Sequence, residues 1–276
     1  MSPALLNLSM LGLSMRRQDD KPIIVASLFI GVILVAGTAY TLTTQGTAAL
    51  LSPNYLLQQL QVGSFLGVVA AGMMLVILLG HIDLSVAWTL TAAAMMSTAV
   101  GGAWAVPTGL AIGFAVGIVN GVGVAYLRIP SMIFTLGVNA VVRGLMVMYT
   151  GGFAPQTAAT DLMRFLAAHR LAGIPVAIFV WALVSAAIAI LLRRTTLGRA
   201  IYAIGSREAA AYLSGIATRF SVILAFALCG LCASLAGVLL AGYSTKAYQG
   251  RCVIRTASKC SPVLKSSLIQ PSRTPV

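Results

Sequence analysis

Acidic residues are the scarcest class in this sequence. Five Asp and Glu stand against 18 Lys and Arg, and charged residues of all types make up 8% of the 276. A water-facing domain carries about 25% charged residues, so this chain cannot dress a soluble surface. There are two histidines, His81 and His169. Positions 81 and 85 would share a helix face while 83 points away, so Asp83 could not orient the His81 imidazole towards Ser85, and a hydrolase is excluded. Four cysteines show neither metal-ligand nor disulfide-framework spacing. Cys229 and Cys232 fall in an apolar stretch and read as small buried thiols, while Cys252 and Cys260 lie near the end of the chain. No Gly-x-x-x-x-Gly-Lys run occurs, so no phosphate-cradling loop for ATP is expected. The net charge of +13 raises nucleic acid as a partner. It is rejected because the basic residues flank apolar runs or sit in the tail, without interleaved aromatics on which bases could stack. Neither cofactor nor metal is expected.

What is present is apolar: 59% of residues, with 27 glycines and a mean hydropathy of +0.97. Crossing a bilayer takes about 20 apolar residues as helix, and the runs are continuous rather than alternating, so the expected fold is all-α, a polytopic transmembrane helical bundle. Seven spans are predicted, over residues 22–42, 62–79, 86–104, 107–127, 130–150, 174–192 and 220–243. Residues 1–20 start apolar and then reach Arg16 and Arg17, the wrong order for a cleaved signal. Arg16, Arg17 and Lys21 precede the first span, which puts the N-terminus in the cytoplasm. Alternation then collects Arg128, Arg193, Arg194, Arg199, Arg207 and Arg219 on the same side and leaves Arg164, Arg170 and Lys246 outside. Three regions follow: a cytoplasmic segment 1–21, a transmembrane domain 22–250 with a cytoplasmic loop 193–219, and a tail 251–276.

Several features carry chemistry. Gly80-His81-Ile82-Asp83-Leu84-Ser85 breaks two apolar runs with a carboxylate. Asp83 or Ser85 could accept from the free N–H groups of a helix starting at Val86, either in an ordinary turn or as a functional group at membrane depth. Ser131, Thr135, Asn139 and Arg143 recur every four residues, on one face of the fifth span. They line a polar translocation path or make interhelical hydrogen bonds, with Asn120 a partner in both readings. Gly109, Gly113, Gly117 and Gly121 form a stripe suited to close helix packing. In the loop, Ser206 reads as an N-cap, Glu208 as a first-turn acid and Gly215 as a C-cap, predicting a short helix over residues 207–214. Its apolar face, Ala209, Tyr212, Leu213 and Ile216, packs on its own bundle or docks in a partner's groove.

These residues resemble the permeases of bacterial ATP-binding-cassette importers for monosaccharides, the ribose/xylose/autoinducer-2 group. The resembling blocks are Ile82-Asp83-Leu84-Ser85-Val86; Ile129 through Gly137 with Val142-Arg143-Gly144-Leu145; and Thr196-Leu197-Gly198-Arg199 through Gly205, with Glu208-Ala209-Ala210 and Leu213-Ser214-Gly215-Ile216. The resemblance covers residues 22–250. It implies a bacterial inner-membrane permease that works with a separate ATPase subunit, a periplasmic sugar-binding protein and a second permease copy or paralogue. On it, Asp83, Ser85, Asn120, Ser131, Thr135, Asn139 and Arg143 are candidates for the substrate path. Gly198, Arg199, Gly205, Ser206, Glu208, Ala209, Ala210, Leu213 and Gly215 are candidates for coupling to the ATPase. His81 stands where the group tends to have Gly or Glu, and Ala87 where it tends to have Gly.

Beyond Gly250 the group continues to about ten spans. Residues 251–276 instead carry five basic residues, no acid and three prolines. This shift reads as a reading-frame change or recombined gene end, or else as a natural disordered tail. An alternative frame downstream of the Gly250 codon is expected to recover apolar sequence, and a product truncated in this way is not expected to transport. The competing functions are an ion-coupled secondary transporter, whose paired broken helices find one candidate here, near Asp83, and a non-transporting scaffold.

Overall fold

The computed structural model describes residues 21–45, 52–151, 158–171 and 173–249. Two compact units are present, Met1–Leu60 and Gln61–Val276. In the first, helix α1 (Lys21–Gln45) carries threonines whose hydroxyls donate back into the helix: Thr38 to the Leu34 carbonyl (2.6 Å), Thr41 to Thr38 (3.0 Å) and Thr43 to Tyr40 (2.9 Å). Satisfying hydroxyls internally suits a helix with no water to turn to.

Helix α2 (Pro53–Leu78) begins nine residues before the predicted second span. Its first turns hold Asn54, Gln58, Gln59 and Gln61, which are compatible with helix but lower local hydropathy. The remaining helices are α3 (Val86–Val100), α4 (Ala105–Leu127, preceded by a 3-10 turn), α5 (Ser131–Thr150), α6 (Asp161–Ala168), α7 (Val176–Arg194), α8 (Thr196–Ser206), α9 (Glu208–Leu213) and α10 (Thr218–Gln249). A two-stranded antiparallel hairpin, Arg170–Leu171 with Ile174–Pro175, enters α7. Among the described residues, five helices are long and apolar enough to cross a membrane, and Ser27–Thr43 and Val86–Val100 are shorter apolar stretches. Together they occupy the seven predicted spans.

Helix α10 is the centre of the second unit, packing on α4, α3 and α6. Phe226, Cys229, Cys232, Ala236, Val238 and Leu239 are buried along it. The glycine stripe of α4 is what lets α10 come close: a Cβ at Gly113 would collide with the Gly230 carbonyl and Ser234, and one at Gly117 would meet the Phe226 carbonyl. Gly230 returns the contact against Gly113. Backbone thus packs on backbone, the arrangement small-residue stripes permit in the absence of a hydrophobic drive between helices.

The short helix α6 is capped by Thr160, whose hydroxyl accepts from the Met163 N–H (3.4 Å). It is tied to α2 by Gln61, whose amide donates to the Ala167 carbonyl (2.5 Å). This cap and tie mark one end of the bundle. The other end gathers Arg128, Arg193, Arg194, Arg199, Arg207 and Arg219, at the tips of α4, α7 and α10 and in the segments between α7 and α10.

Candidate functional site

At the basic end, residues 79–85 join α2 to α3 without helix. Gly80 stops α2. Its φ of +81° is a conformation glycine adopts without steric cost, and it lets His81 N–H close back onto the Val76 carbonyl (3.1 Å). The chain then climbs beside the first turns of α5. Ile82 N–H donates to the Ser131 hydroxyl (3.2 Å) and Leu84 N–H to the Thr135 hydroxyl (3.0 Å). Thr135 lies four residues into α5, about 6 Å along its axis. Helix α3 therefore starts inside the bundle, and at 15 residues it reaches only about 22 Å, short of a full span. Irregular backbone at such depth is tolerated only where protein satisfies it, and the two hydroxyls of α5 do so.

Asp83 closes the cluster. One carboxylate oxygen accepts from both Ser85 N–H (2.9 Å) and Ser85 hydroxyl (2.7 Å). Asn120 of α4 donates to the Ser85 oxygen (2.6 Å) and more weakly to Asp83 (3.4 Å). Thr89, one turn into α3, donates to the Ser85 carbonyl (2.9 Å). Asp83, Ser85, Asn120, Ser131 and Thr135 are all buried. Five of the seven path candidates thus form one hydrogen-bonded hub joining the connector, α4 and α5. Asn120, expected as a partner for the polar stripe of α5, bonds the connector instead.

The other two candidates extend the stripe upward from the hub. The Asn139 carbonyl oxygen is buried with no hydrogen-bond partner among the described residues. Arg143 is exposed, and its guanidinium lies over the Trp88 ring, 5.6 Å from the centroid. Trp88 is a residue that sequence reasoning missed; its place two residues into the helix after Ser85 was the available signal. An arginine two-thirds of the way along a span, with neither acid nor hydrogen bond among the described residues, calls for water or a partner chain beside it.

His81 sits at the foot of the connector with its ring 6.1 Å from that of Phe226. Burial lowers its pKa, and the Glu208 carboxylate at the same end of the bundle pulls in the opposite direction.

The coupling candidates occupy α8 and α9. Ser206 is not the expected N-cap. Thr195 caps a separate helix, its hydroxyl accepting from Gly198 N–H (3.2 Å). That helix runs on through Ser206, whose hydroxyl turns back to the Ala203 carbonyl (2.9 Å). Arg207 becomes the N-cap of α9, which is shorter than predicted. Gly198 and Gly205 are there for close approach: a Cβ would strike the Leu192 and Leu78 carbonyls respectively. Gly215, with φ of +80°, ends α9 as expected. Its neighbour Ile216 N–H closes onto the Ala211 carbonyl (3.1 Å). Of the expected apolar face only Ile216 packs on the core, and the residue of α9 that is buried, Ala211, was not part of it. Arg199, Glu208, Ala209 and Ala210 are exposed, Tyr212 is 69% exposed and Leu213 85%.

A family model described as branched-chain amino acid transport system / permease component matches residues 55–250. A ribose import permease protein of Escherichia coli K12 is 40% identical over 202 residues, which cover 68% of this chain and 63% of that protein. A D-allose transport system permease protein of Escherichia coli K12 is 31% identical over 222 residues, covering 76% of this chain and 65% of the relative. An autoinducer 2 import system permease protein of Escherichia coli is 34% identical over 177 residues, covering 62% and 52%. The chain thus spans between about half and two thirds of the length of these relatives. No solved structure matches it.

Proposed function

The chain belongs to the permease-component family of the branched-chain amino acid transport type, and on that premise we propose that it is the transmembrane subunit of an ATP-driven importer for a monosaccharide or similar small polyol. The apolar helices and the permease relatives make it a multi-pass membrane protein, and its family is a permease component rather than a catalytic enzyme. The substrate class comes from relatives named for ribose, D-allose and autoinducer 2. Energy comes from a separate ATP-binding-cassette subunit, substrate from a periplasmic sugar-binding protein, and the path is completed by a second permease copy or paralogue. The protein sits in a bacterial inner membrane with its N-terminus and its arginine-rich end in the cytoplasm, as the distribution of basic residues favours.

The observation that carries the coupling role is α9. A six-residue helix has too few hydrogen bonds to stand alone, and it seats only Ala211 and the following Ile216 on the bundle while Tyr212 and Leu213 stand outward at the basic end. Apolar residues so exposed at a membrane protein's polar face suit a groove on a soluble partner. Displacement of α9 is passed to α10, three residues beyond the left-handed Gly215, and through α10 to α4 and the hub. Arg143, Asn139 and Trp88 then contribute the polar part of the path, where planar and amide donors match sugar hydroxyls. Purification of the tagged chain from its host tests the assignment. An ATP-binding-cassette ATPase is expected to accompany it; a chain that comes out without any ATPase and whose substrate uptake collapses with an ion gradient would sink the proposal.

A further inference from the structure

The basic end of the bundle contains a cavity of about 880 Å³ to which the transport reading assigns no ligand, although Ser131 of the hub and Glu208, Ala209 and Tyr212 of α9 line it. Its walls come from the foot of the connector (Gly80, His81), the tip of α4 with the turn into α5 and the first residues of α5, one side of α9 (Glu208, Ala209, Tyr212) and the start of α10. Two guanidiniums border it, those of Arg128 and Arg219, against one carboxylate, Glu208. Arg219 is stacked over the Tyr126 ring at 5.2 Å. Neither arginine has an ion pair or hydrogen bond among the described residues, where the one ion pair is Arg164 with Asp161.

Arg128 is the more telling of the two. It is the one non-glycine residue with positive φ among the described residues, at +53°. Glycine would sit at this helix end without steric cost. A strained backbone position that holds a long charged side chain is an observation from which a function is properly inferred. Much of the remaining lining is apolar, with Val124, Ile129, Met132, Ile133 and Val222, and polar groups are supplied by Ser131 and Thr218. Met132 and Ile133 are more than half exposed, as are Tyr126 and Leu127 on the neighbouring helix, so apolar surface continues from the cavity along the outside of α4 and α5.

We propose that this cavity is a phosphate-binding site in which Arg128 and Arg219 take the phosphate oxygens, and that its apolar wall fits a phosphate carried on the headgroup of an anionic membrane lipid. Guanidinium presents paired N–H donors that match phosphate oxygens, and such charge-assisted bonds are the strong ones. Basic pockets between transmembrane helices are where anionic headgroups bind. Glu208, in the same lining, disfavours a second negative group and so favours one phosphate over a more highly charged ligand.

The whole chain purified in detergent supplies the test. Phosphatidylglycerol, phosphatidylcholine and inorganic phosphate are titrated separately, with bound lipid counted by native mass spectrometry and affinity read by calorimetry. Phosphatidylglycerol is expected to bind at one site and phosphatidylcholine about tenfold more weakly. Arg128→Gly and Arg219→Gln are each expected to weaken phosphatidylglycerol about tenfold, and Arg193→Gln, outside the cavity, to leave it unchanged. Arg128→Gly relieves the backbone, so its melting temperature should hold or rise while binding is lost, which separates a binding role from a structural one. If inorganic phosphate alone binds with the same dependence on the two arginines, the phosphate site stands and its ligand is a free anion. No binding of either probe, or equal weakening by Arg193→Gln, would overturn the proposal.

Discussion

Thr135 shows how one hydroxyl holds a break in a helix. Its oxygen accepts the Leu84 N–H, while its own hydrogen goes to the Ser131 carbonyl (2.8 Å). Thr135→Val keeps shape and volume but leaves that amide buried and unpaired, at a cost of about 1–3 kcal/mol. Thermal unfolding in detergent should show the loss, with Thr135→Ser close to the parent protein. His81 supplies a pH-dependent counterpart. Its folded pKa is depressed by burial, so the unfolded chain binds a proton more readily. Stability from this group is therefore full above about pH 6.5 and falls as pH drops towards the folded value. His81→Asn is expected to flatten that slope in melts between pH 5 and about 7; an unchanged slope would place the titration elsewhere. Along α5, single cysteines at 139 and 143 should react with a small water-soluble thiol reagent if they line a wet path, whereas one at Val141 should not; equal protection at all three would leave α5 a purely interhelical element. The spacing 131, 135, 139, 143 was readable because four-residue periodicity puts residues on one helix face. Partners were not readable. Which polar group faces Asn120 depends on how deep the connector runs, and that is a matter of tertiary packing.

At the scale of elements, close backbone approach governs the bundle. The α4 stripe was legible as a packing face, but its partner was not, since glycine spacing says nothing about which helix arrives. Gly113→Leu would drive a side chain into the Gly230 carbonyl and Ser234, forcing α4 and α10 apart. Overpacking of this kind costs about 1–3 kcal/mol or more, and the variant is expected to be inserted but to melt well below the parent, while Gly137→Leu, which meets open space, should melt near it. The segment between α7 and α10 shows the opposite failure of sequence reading. Ser206 is a good cap by residue type, yet Thr195 had already started a helix that ran past it, and local propensity yielded to the earlier nucleus. Thr195→Ala should cost about 1 kcal/mol, seen as a lower melting temperature. The shortness of α3 was hidden for a related reason. Hydropathy carried the third predicted span on to residue 104, whereas the helix ends at Val100, with Gly101 at φ +66° and Gly102 at φ +59°.

For the molecule as a whole, fold class followed from composition, because a chain with so little charge has one solvent available to it. The seven apolar segments recur as helices in the structure. The predicted N-terminal segment 1–21 lies almost wholly, and the tail 251–276 entirely, outside the described residues. Function was legible only where residues had to be specific, in the connector, in α5 and around α9. The central claim, that α9 seats in an ATPase, makes a geometric demand that ordinary binding assays do not test. Single cysteines placed one at a time from 207 to 216 and crosslinked to the ATPase subunit would test it directly. Strong crosslinks are expected at 209, 212 and 213, whose residues are exposed, and none at 211, which faces the bundle. Uniform crosslinking along the segment, or crosslinks at 211 but not at 209, 212 and 213, would contradict it.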